Sequence, residues 1–346
     1  MQQNGHSFEI LLQEAKALGL FQRTKIQYAL HATLLVLAYG VCLYVLTVSD
    51  SLAVQIPNAL FFGFITVQWG MLGHDLSHKQ VFASDKLNAF FGTVAWGLFS
   101  GLSQQKWYER HNSHHKHPNQ IGKDPDLDIP FHFSKAQRAF PLGFLERIFL
   151  PKQHIIFFMV LPVVYLSYIR ASFAHIFHTF GLVRFFELLL IAVHFAAVFY
   201  FIFFSLPVLV AVMFTLMYVL TTGLYMGLVF APNHKGLDIL PPESAFVWTN
   251  QILLTRNLPP SAMTTFLFGG LNFQIEHHLF PSVSRFKQRN ARSFVKTYCA
   301  TEGLSHIERT WVESMGDIYV ALREESSVAL STQEQTVANT GSVRSS

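Results

Sequence analysis

Residues 56–78 read Ile-Pro-Asn-Ala-Leu-Phe-Phe-Gly-Phe-Ile-Thr-Val-Gln-Trp-Gly-Met-Leu-Gly-His-Asp-Leu-Ser-His. The first part, Ile56 to Leu72, carries no Asp, Glu, Lys or Arg. A helix needs about 17 to 25 mostly apolar residues to cross a bilayer, so this run predicts a transmembrane span. Directly beyond it stand His74 and His78, and a spacing of four puts both on one helical face. Three more runs qualify as spans: Ile26 to Val48, Glu187 to Phe204, and Leu206 to Phe230. Only Ser49 to Gln55 separates the first two spans, and only Ser205, with Pro207 just after it, separates the last two, so each pair reads as a hairpin. Residues 89–102, with Gly92, Gly97 and Gly101, and residues 155–169, with Pro162, are shorter and read as interfacial or re-entrant segments.

The placement of positive charge arbitrates the topology, because Lys and Arg collect in cytoplasmic loops. All 25 lie in Met1 to Lys25, in Lys79 to Arg184, or beyond Phe230. Both termini and the long central loop are therefore expected on the cytoplasmic side. A crossing by residues 155–169 would strand the C-terminal charges outside. The expectation is an all-α integral membrane protein with four transmembrane helices in two hairpins under a cytosolic helical cap. It forms one domain over residues 1–325, with a disordered Ser/Thr-rich tail at 326–346. The start of the chain reads as an amphipathic interfacial helix, with Phe8, Leu11, Leu12, Ala15 and Leu18 near one face.

Composition agrees with a membrane protein. Of 346 residues, 51% are hydrophobic and 13% are charged, against roughly 25% charged in an ordinary soluble domain. A mean hydropathy of +0.32 excludes an intrinsically disordered chain. Net charge is +4, which is read as membrane-surface charge and implies no nucleic-acid partner. Two cysteines, with Cys42 inside an apolar run, exclude a disulfide framework or an iron–sulfur cluster. Histidine is the exception to the scarcity of polar residues, with 17 against 21 Asp plus Glu.

Those histidines gather just past the predicted cytoplasmic ends of the spans. His74 and His78 follow the second; His111, His114 and His115 share a three, four spacing; Gln274, His277 and His278 repeat that spacing with Gln leading; and Asn233-His234 follows the last span. Four stretches thus bring eight imidazoles to one side at one depth. Imidazole suits iron, zinc and copper, and eight nitrogens exceed the four ligands of a tetrahedral zinc, so two metals fit the count. Iron is favoured over zinc on chemical grounds. An apolar protein implies apolar substrates, and cleaving an unactivated C–H bond needs a redox metal and dioxygen.

The boxes His74-x-x-x-His78, His111-x-x-His114-His115 and Gln274-x-x-His277-His278, with the run Asn272 to Pro281, resemble the integral-membrane fatty acid desaturases. The likeness covers roughly Tyr28 to Arg292. The Gln-led third box and Asn233-His234 are similar to front-end and bacterial acyl desaturases. The resemblance implies a cytosolic cap holding two irons over a kinked acyl tunnel, and removal of two hydrogens from adjacent methylenes as dioxygen is reduced to water. Residue by residue it implies iron ligation by His74, His78, His111, His114, His115, His234, His277 and His278. Gln274 stands where other branches have histidine, so it is a weak ligand, a holder of metal-bound water, or an outer-layer residue; Asn233 could position the same water. Asp75 and Glu276 are expected either to orient ring N–H groups or to be ordinary solvated carboxylates.

Other residues are given blander expectations. His31, His117, His175, His178 and His194 are read as packing or surface residues, Asp124-Pro-Asp126-Leu-Asp128 as a structural turn or a support network, and the basic residues Arg285, Lys287, Arg289, Arg292 and Lys296 as a membrane-surface face, with contact to an acidic electron donor or a coenzyme A phosphate as the second reading. The chain lacks a His-Pro-Gly-Gly haem motif and a G-x-G-x-x-G fingerprint, and departs from eukaryotic front-end enzymes in carrying no cytochrome-b5-type domain. Electrons are therefore expected from an external ferredoxin, cytochrome-b5-type donor or NAD(P)H reductase, and the substrate is expected to be acyl-CoA or an acyl glycerolipid in a bacterial inner membrane. Two alternatives stay open: a lipid or carotenoid hydroxylase or ketolase of the same di-iron chemistry, and a non-redox zinc receptor or hydrolase.

Overall fold

The computed structural model describes residues 2–133, 137, 148–178 and 181–343. Its helices are α1 (Gln2–Ala17), α2 (Lys25–Val48), α3 (Leu52–Ser77), α4 (Asp85–Thr93), which runs into a π-helical stretch at Val94–Phe99, and α5 (Gln104–Lys116). After the central region come α6 (Gln153–Val160), α7 (Val164–His178), α8 (Leu182–Ser205) and α9 (Val208–Phe230). The C-terminal part holds α10 (Asn250–Leu253), α11 (Ala262–Leu267), α12 (Gln274–Leu279), α13 (Gln288–Glu302) and α14 (Trp311–Val343). Among the described residues no strand is longer than an isolated bridge.

Helix α3 is the centre of the membrane part. Its residues from Ile65 to Ser77 are all buried, because α2 and α9 flank it and the π-helical stretch covers what remains. Small residues permit this closeness: a Cβ at Gly63 would sit 3.0 Å from the Tyr218 carbonyl on α9. Phe62, Met71, Trp96, Trp107, Phe214, Tyr218 and Met226 interdigitate around it as the main core. On α2 and α8, by contrast, Leu30, Leu34, Leu37, Phe199 and Phe204 stay exposed, as lipid-facing side chains do.

Among the described residues five stretches are long and apolar enough to cross a membrane: Lys25–Val48, Leu52–Ser77, Leu150–His178, Leu182–Ser205 and Val208–Asn233. Three of these contain the expected spans, and a fourth, Val208–Asn233, overlaps the span expected at Leu206 to Phe230 but starts after Pro207. The additional one contains the segment expected at the surface, lengthened in both directions. It is interrupted at Leu161–Val163, where Pro162 has no N–H to offer the helix. The interruption lies flat against α9, where a Cβ at Gly223 would come within 2.1 Å of the Pro162 carbonyl oxygen, so only glycine fits.

At the N-terminus α1 is amphipathic as expected, but its apolar face meets protein. Leu11 and Ala15 are buried with Leu20 against Ile275, Leu279 and Phe280 of the third-box region and Ala291 and Val295 of α13. The stretch expected as a tail is drawn into α14, which continues to Val343.

Candidate metal centre

Each histidine box sits at a helix end or on a short helix. His74 lies in the last turn of α3 and His78 caps it. Box two rides on α5, whose first turn is held in two ways: Ser103 Oγ accepts from the Lys106 N–H at 3.2 Å, and the buried Glu187 of α8 accepts from the Gln105 N–H at 2.9 Å and the Ser103 hydroxyl at 2.8 Å. After α9 a 3-10 turn at Ala231–Asn233 delivers His234, and α12 carries Gln274, His277 and His278.

Seven of the eight histidines fall into two groups. His74, His78, His111 and His277 form the first, and His114, His234 and His278 the second; within each, one potential ligand atom per residue lies within 4.8 Å of every other. Nε2 of His74 is 3.2 Å from Nε2 of His277, and Nε2 of His111 is 2.9 Å from that of His78. His115 joins the groups: its Nε2 is 2.9 Å from that of His111, and its ring stacks on His278 with centroids 4.2 Å apart. Trp107 lies against His111 with centroids 4.2 Å apart and meets Trp96 on its other side.

The proton arrangement decides what these groups can bind. His74 points Nδ1 at Asp75 Oδ1 (3.1 Å), His114 at Asp124 (3.0 Å), His234 at the Leu254 carbonyl (3.1 Å) and His278 at Gln251 Oε1 (2.9 Å). All four acceptors require the proton on Nδ1, which leaves a bare lone pair on Nε2 of a neutral ring. His234 Nε2 accepts from the Gln274 amide at 3.1 Å and lies 3.2 Å from His114 Nε2, and His278 Nε2 is buried without any hydrogen-bond partner. A cation between the three rings would give the orphaned His278 nitrogen a partner, so the residues fit a metal.

The titration behaviour agrees. Burial, followed by the neighbouring imidazoles, holds His78, His111, His115, His277 and His278 well below the usual imidazole range. These rings are neutral and ligand-ready at neutral pH. His114 is the exception: burial lowers it, but Asp124 and Asp126 outweigh burial and carry it above the usual value.

The tentative outer residues divide. Asp75 accepts from His74, from the Tyr28 hydroxyl at 2.7 Å and from Arg285, whose other nitrogen donates to the Met71 carbonyl. Glu276 turns away from the box imidazoles, accepting from Asn257 Nδ2 at 2.7 Å and pairing with His306 Nε2 at 2.9 Å. Gln274 places Nε2 3.1 Å from His234 Nε2, and Asn233 donates to Gln274 Oε1 at 3.3 Å. Arg285, expected on a membrane-surface face, is buried in the Asp75 pair because its segment folds back over α3. Asp124 serves as support, taking His114 and the Asn119 N–H (2.7 Å). Gln251 was missed, and nothing in its surrounding sequence marks it. His194 donates to or accepts around Leu98 and Tyr218 outside both groups, as expected of a packing residue.

Comparison with known proteins extends this picture. The fatty acid desaturase family model matches residues 51–310. The Delta(6)-fatty-acid desaturase of Caenorhabditis elegans is 29% identical over 87% of this chain and 70% of its own length. The Delta(5) fatty acid desaturase of the same organism is 28% identical over 73% of this chain and 59% of its own, and the Delta(8)-fatty-acid desaturase of Borago officinalis 27% identical over 86% and 70%. The chain thus spans between about three-fifths and seven-tenths of these relatives. They come from an animal and a plant, so the bacterial placement expected above draws no support from them.

Proposed function

This chain belongs to the fatty acid desaturase family, and from that premise we propose that it is a dioxygen-dependent acyl desaturase with one iron in each histidine group. The observation that carries the reading is the convergence of eight imidazoles from four segments on two facing groups. An apolar slot beside them, lined by Val67, Met71, Trp96, Leu102, Met226 and Phe230 among others, encloses about 10 Å³, room for about one water, so an acyl chain entering there would have to part these side chains. Trp107, between Trp96 and His111, would fix the wall that separates slot from metal.

Bound iron supplies the redox capacity to activate dioxygen for C–H cleavage. The chain's own residues orient and protect. Asp75, Asp124, Gln251 and the Leu254 carbonyl keep four rings in the Nδ1–H tautomer. Gln274 and Asn233 are placed to hold a water or to complete the second group, which has one imidazole fewer. The overall reaction takes two hydrogens from the acyl chain and two electrons from an external donor with two protons, and dioxygen leaves as two waters. The relatives' names give Delta(5), Delta(6) and Delta(8) positions, and we place the new double bond in that range.

Parity supports four crossings with both ends on one side. The clusters join the C-terminal end of α3, box two on α5 and the C-terminal end of α9. The α8–α9 hairpin puts the start of α8 on that same side, so the chain leaves α5 and reaches α8 without a net crossing. Leu150–His178 then lies along α9 as a broken, non-crossing segment. The distribution of positive charge favours a site and chain ends on the cytoplasmic side, where the electron donor and an acyl-CoA or acyl-lipid substrate would meet it.

The test is expression in a host of defined saturated and monounsaturated lipids, with a competent electron donor, followed by mass spectrometry that locates new double bonds. The expected product has lost two hydrogens, and the purified protein holds two irons. Gain of one oxygen would move the chain to the hydroxylases, and one zinc per chain with no lipid product would overturn the reading.

A further inference from the structure

Trp107 of α5 is packed between the first histidine group and the apolar slot. It is only 6% exposed, and its ring centroid lies 4.2 Å from that of His111, 5.3 Å from His74 and 6.3 Å from His78. It therefore touches three of the four imidazoles of that group. Among the described residues, every other ring contact made by those four is with another imidazole. Trp96 lies against the far side of Trp107 with centroids 4.9 Å apart, and Trp96 lines the slot. The order outward from the group is thus imidazole, Trp107, Trp96, slot.

An indole in that place is hidden from water but not from the chemistry. An oxidant able to break an unactivated methylene C–H bond also attacks indole, whose face is the most electron-rich among the side-chain rings. A closed site avoids such side reactions by keeping substrate beside the reacting centre. Here the slot encloses about 10 Å³, room for about one water, so without an acyl chain the group faces protein on that side. Two other oxidisable side chains, Trp96 and Met71, line the slot. Trp96 is one ring further out, and Met71 packs its sulfur against Gly269, where a Cβ would meet Sδ at 3.0 Å. Trp107 is the first oxidisable ring the group meets.

We propose that Trp107 is a site of oxidative self-modification: when dioxygen is activated with no acyl chain in place, the Trp107 indole takes the oxygen. One indole C–H bond gives way to C–O–H, the second oxygen atom leaves as water, and the two electrons and two protons are those that desaturation also consumes. In desaturation both oxygen atoms leave as water and the acyl chain gives up two hydrogens; here one oxygen stays in the protein. The acyl chain is then the protector of the enzyme as well as its substrate. The inference rests on the desaturase reading for the activation of dioxygen, and the experiment separates the two.

The experiment uses the full chain, iron-loaded, in nanodiscs of a phytanyl ether lipid, which offers no acyl chain. The protein is reduced with dithionite, freed of the excess and exposed to heavy-isotope dioxygen, with and without a mixture of acyl-CoA and acyl glycerolipid; peptide mass spectrometry then maps the label. The expected result is a gain of one heavy oxygen atom on the peptide carrying Trp107, absent from iron-free protein and lost when the acyl mixture is present and desaturated. Met159 and Met263, 71% and 67% exposed, report any diffusible oxidant and should stay unlabelled. In Trp107→Phe the total label should fall, not move to Trp96 or Met71. If that variant loses its iron, the wild-type map decides alone. Label on Met159 and Met263 in place of Trp107, an undiminished total in the variant, or equal Trp107 label while acyl chains are being desaturated overturns the site. Desaturated lipid with no label at Trp107 in the acyl-free sample overturns the site and keeps the desaturase reading. Label at Trp107 with no desaturated lipid does the reverse, and neither label nor product overturns both.

Discussion

The two histidine groups are built from the same residue type but are braced differently. The first, His74, His78, His111 and His277, has four imidazoles, and its outer support is a buried ion pair, Asp75 with Arg285, seated against α3. The second, His114, His234 and His278, has three, with the Gln274 amide against His234, and leans on Asp124, a backbone carbonyl and Gln251. Support in the first group is tied to the stability of the whole fold. In the second it comes from a loop carboxylate and neutral amides, and can be altered one contact at a time.

The sharpest way to break the contrast is to remove a ligand from each group. His111→Ala and His234→Ala should each reduce desaturation to background, and metal analysis should find about one iron fewer per chain, since facing ligands act as a unit. If either variant keeps both metals, the grouping is wrong. Next come the braces. Asp75→Asn leaves Arg285 as an unpaired buried charge, which costs about 3–5 kcal/mol, so the expected result is loss of folded protein on size-exclusion chromatography. Asp124→Asn should stay folded and lose roughly 10- to 100-fold in activity or metal affinity, read by chelator competition.

Acidification separates the groups more gently. His78, His111 and His277 sit well below the usual value, whereas His114 sits above it, so a proton competes with metal at His114 first as pH falls. The second group should release its iron at the higher pH. For the metal-free fold the sign follows from proton counting. Below about pH 6.5 the unfolded chain binds protons that the low-titrating rings refuse, so stability falls with pH in that range, checked by thermal melts. The smallest effect is expected for Gln274→His, which gives the second group a fourth imidazole and should slow iron loss to chelator only a few-fold.

The fold was legible where a single physical signal dominated. Uncharged runs marked α2, α3, α8 and α9, and four-residue spacing marked the faces that carry His74 with His78 and His111 with His115. The additional apolar stretch was harder, because Pro162 breaks its helix at Leu161–Val163, and the room it needs comes from Gly223 and Gly227 of α9, which are distant in sequence. Supporting residues were legible only when adjacent in sequence. Asp75 neighbours His74 and was named, and Asp124 lay in a flagged cluster, but Gln251 and Arg285 reach their partners through tertiary folding alone. Glu276 shows the converse: adjacency suggested a box partner, yet the short α12 turns its carboxylate to His306.

The seat of α1 sets a timetable for synthesis. Leu11 finds its partners Ile275 and Leu279 only after another 264 residues have been made, the difference between 275 and 11. At about 5–20 residues per second the nascent helix waits on the order of 15 to 50 s with its apolar face uncovered. The bilayer surface beside the emerging hairpins is the nearest place to shelter it. The helix ends as a clasp across the third-box region, so the last third of the chain decides when the first becomes part of the fold.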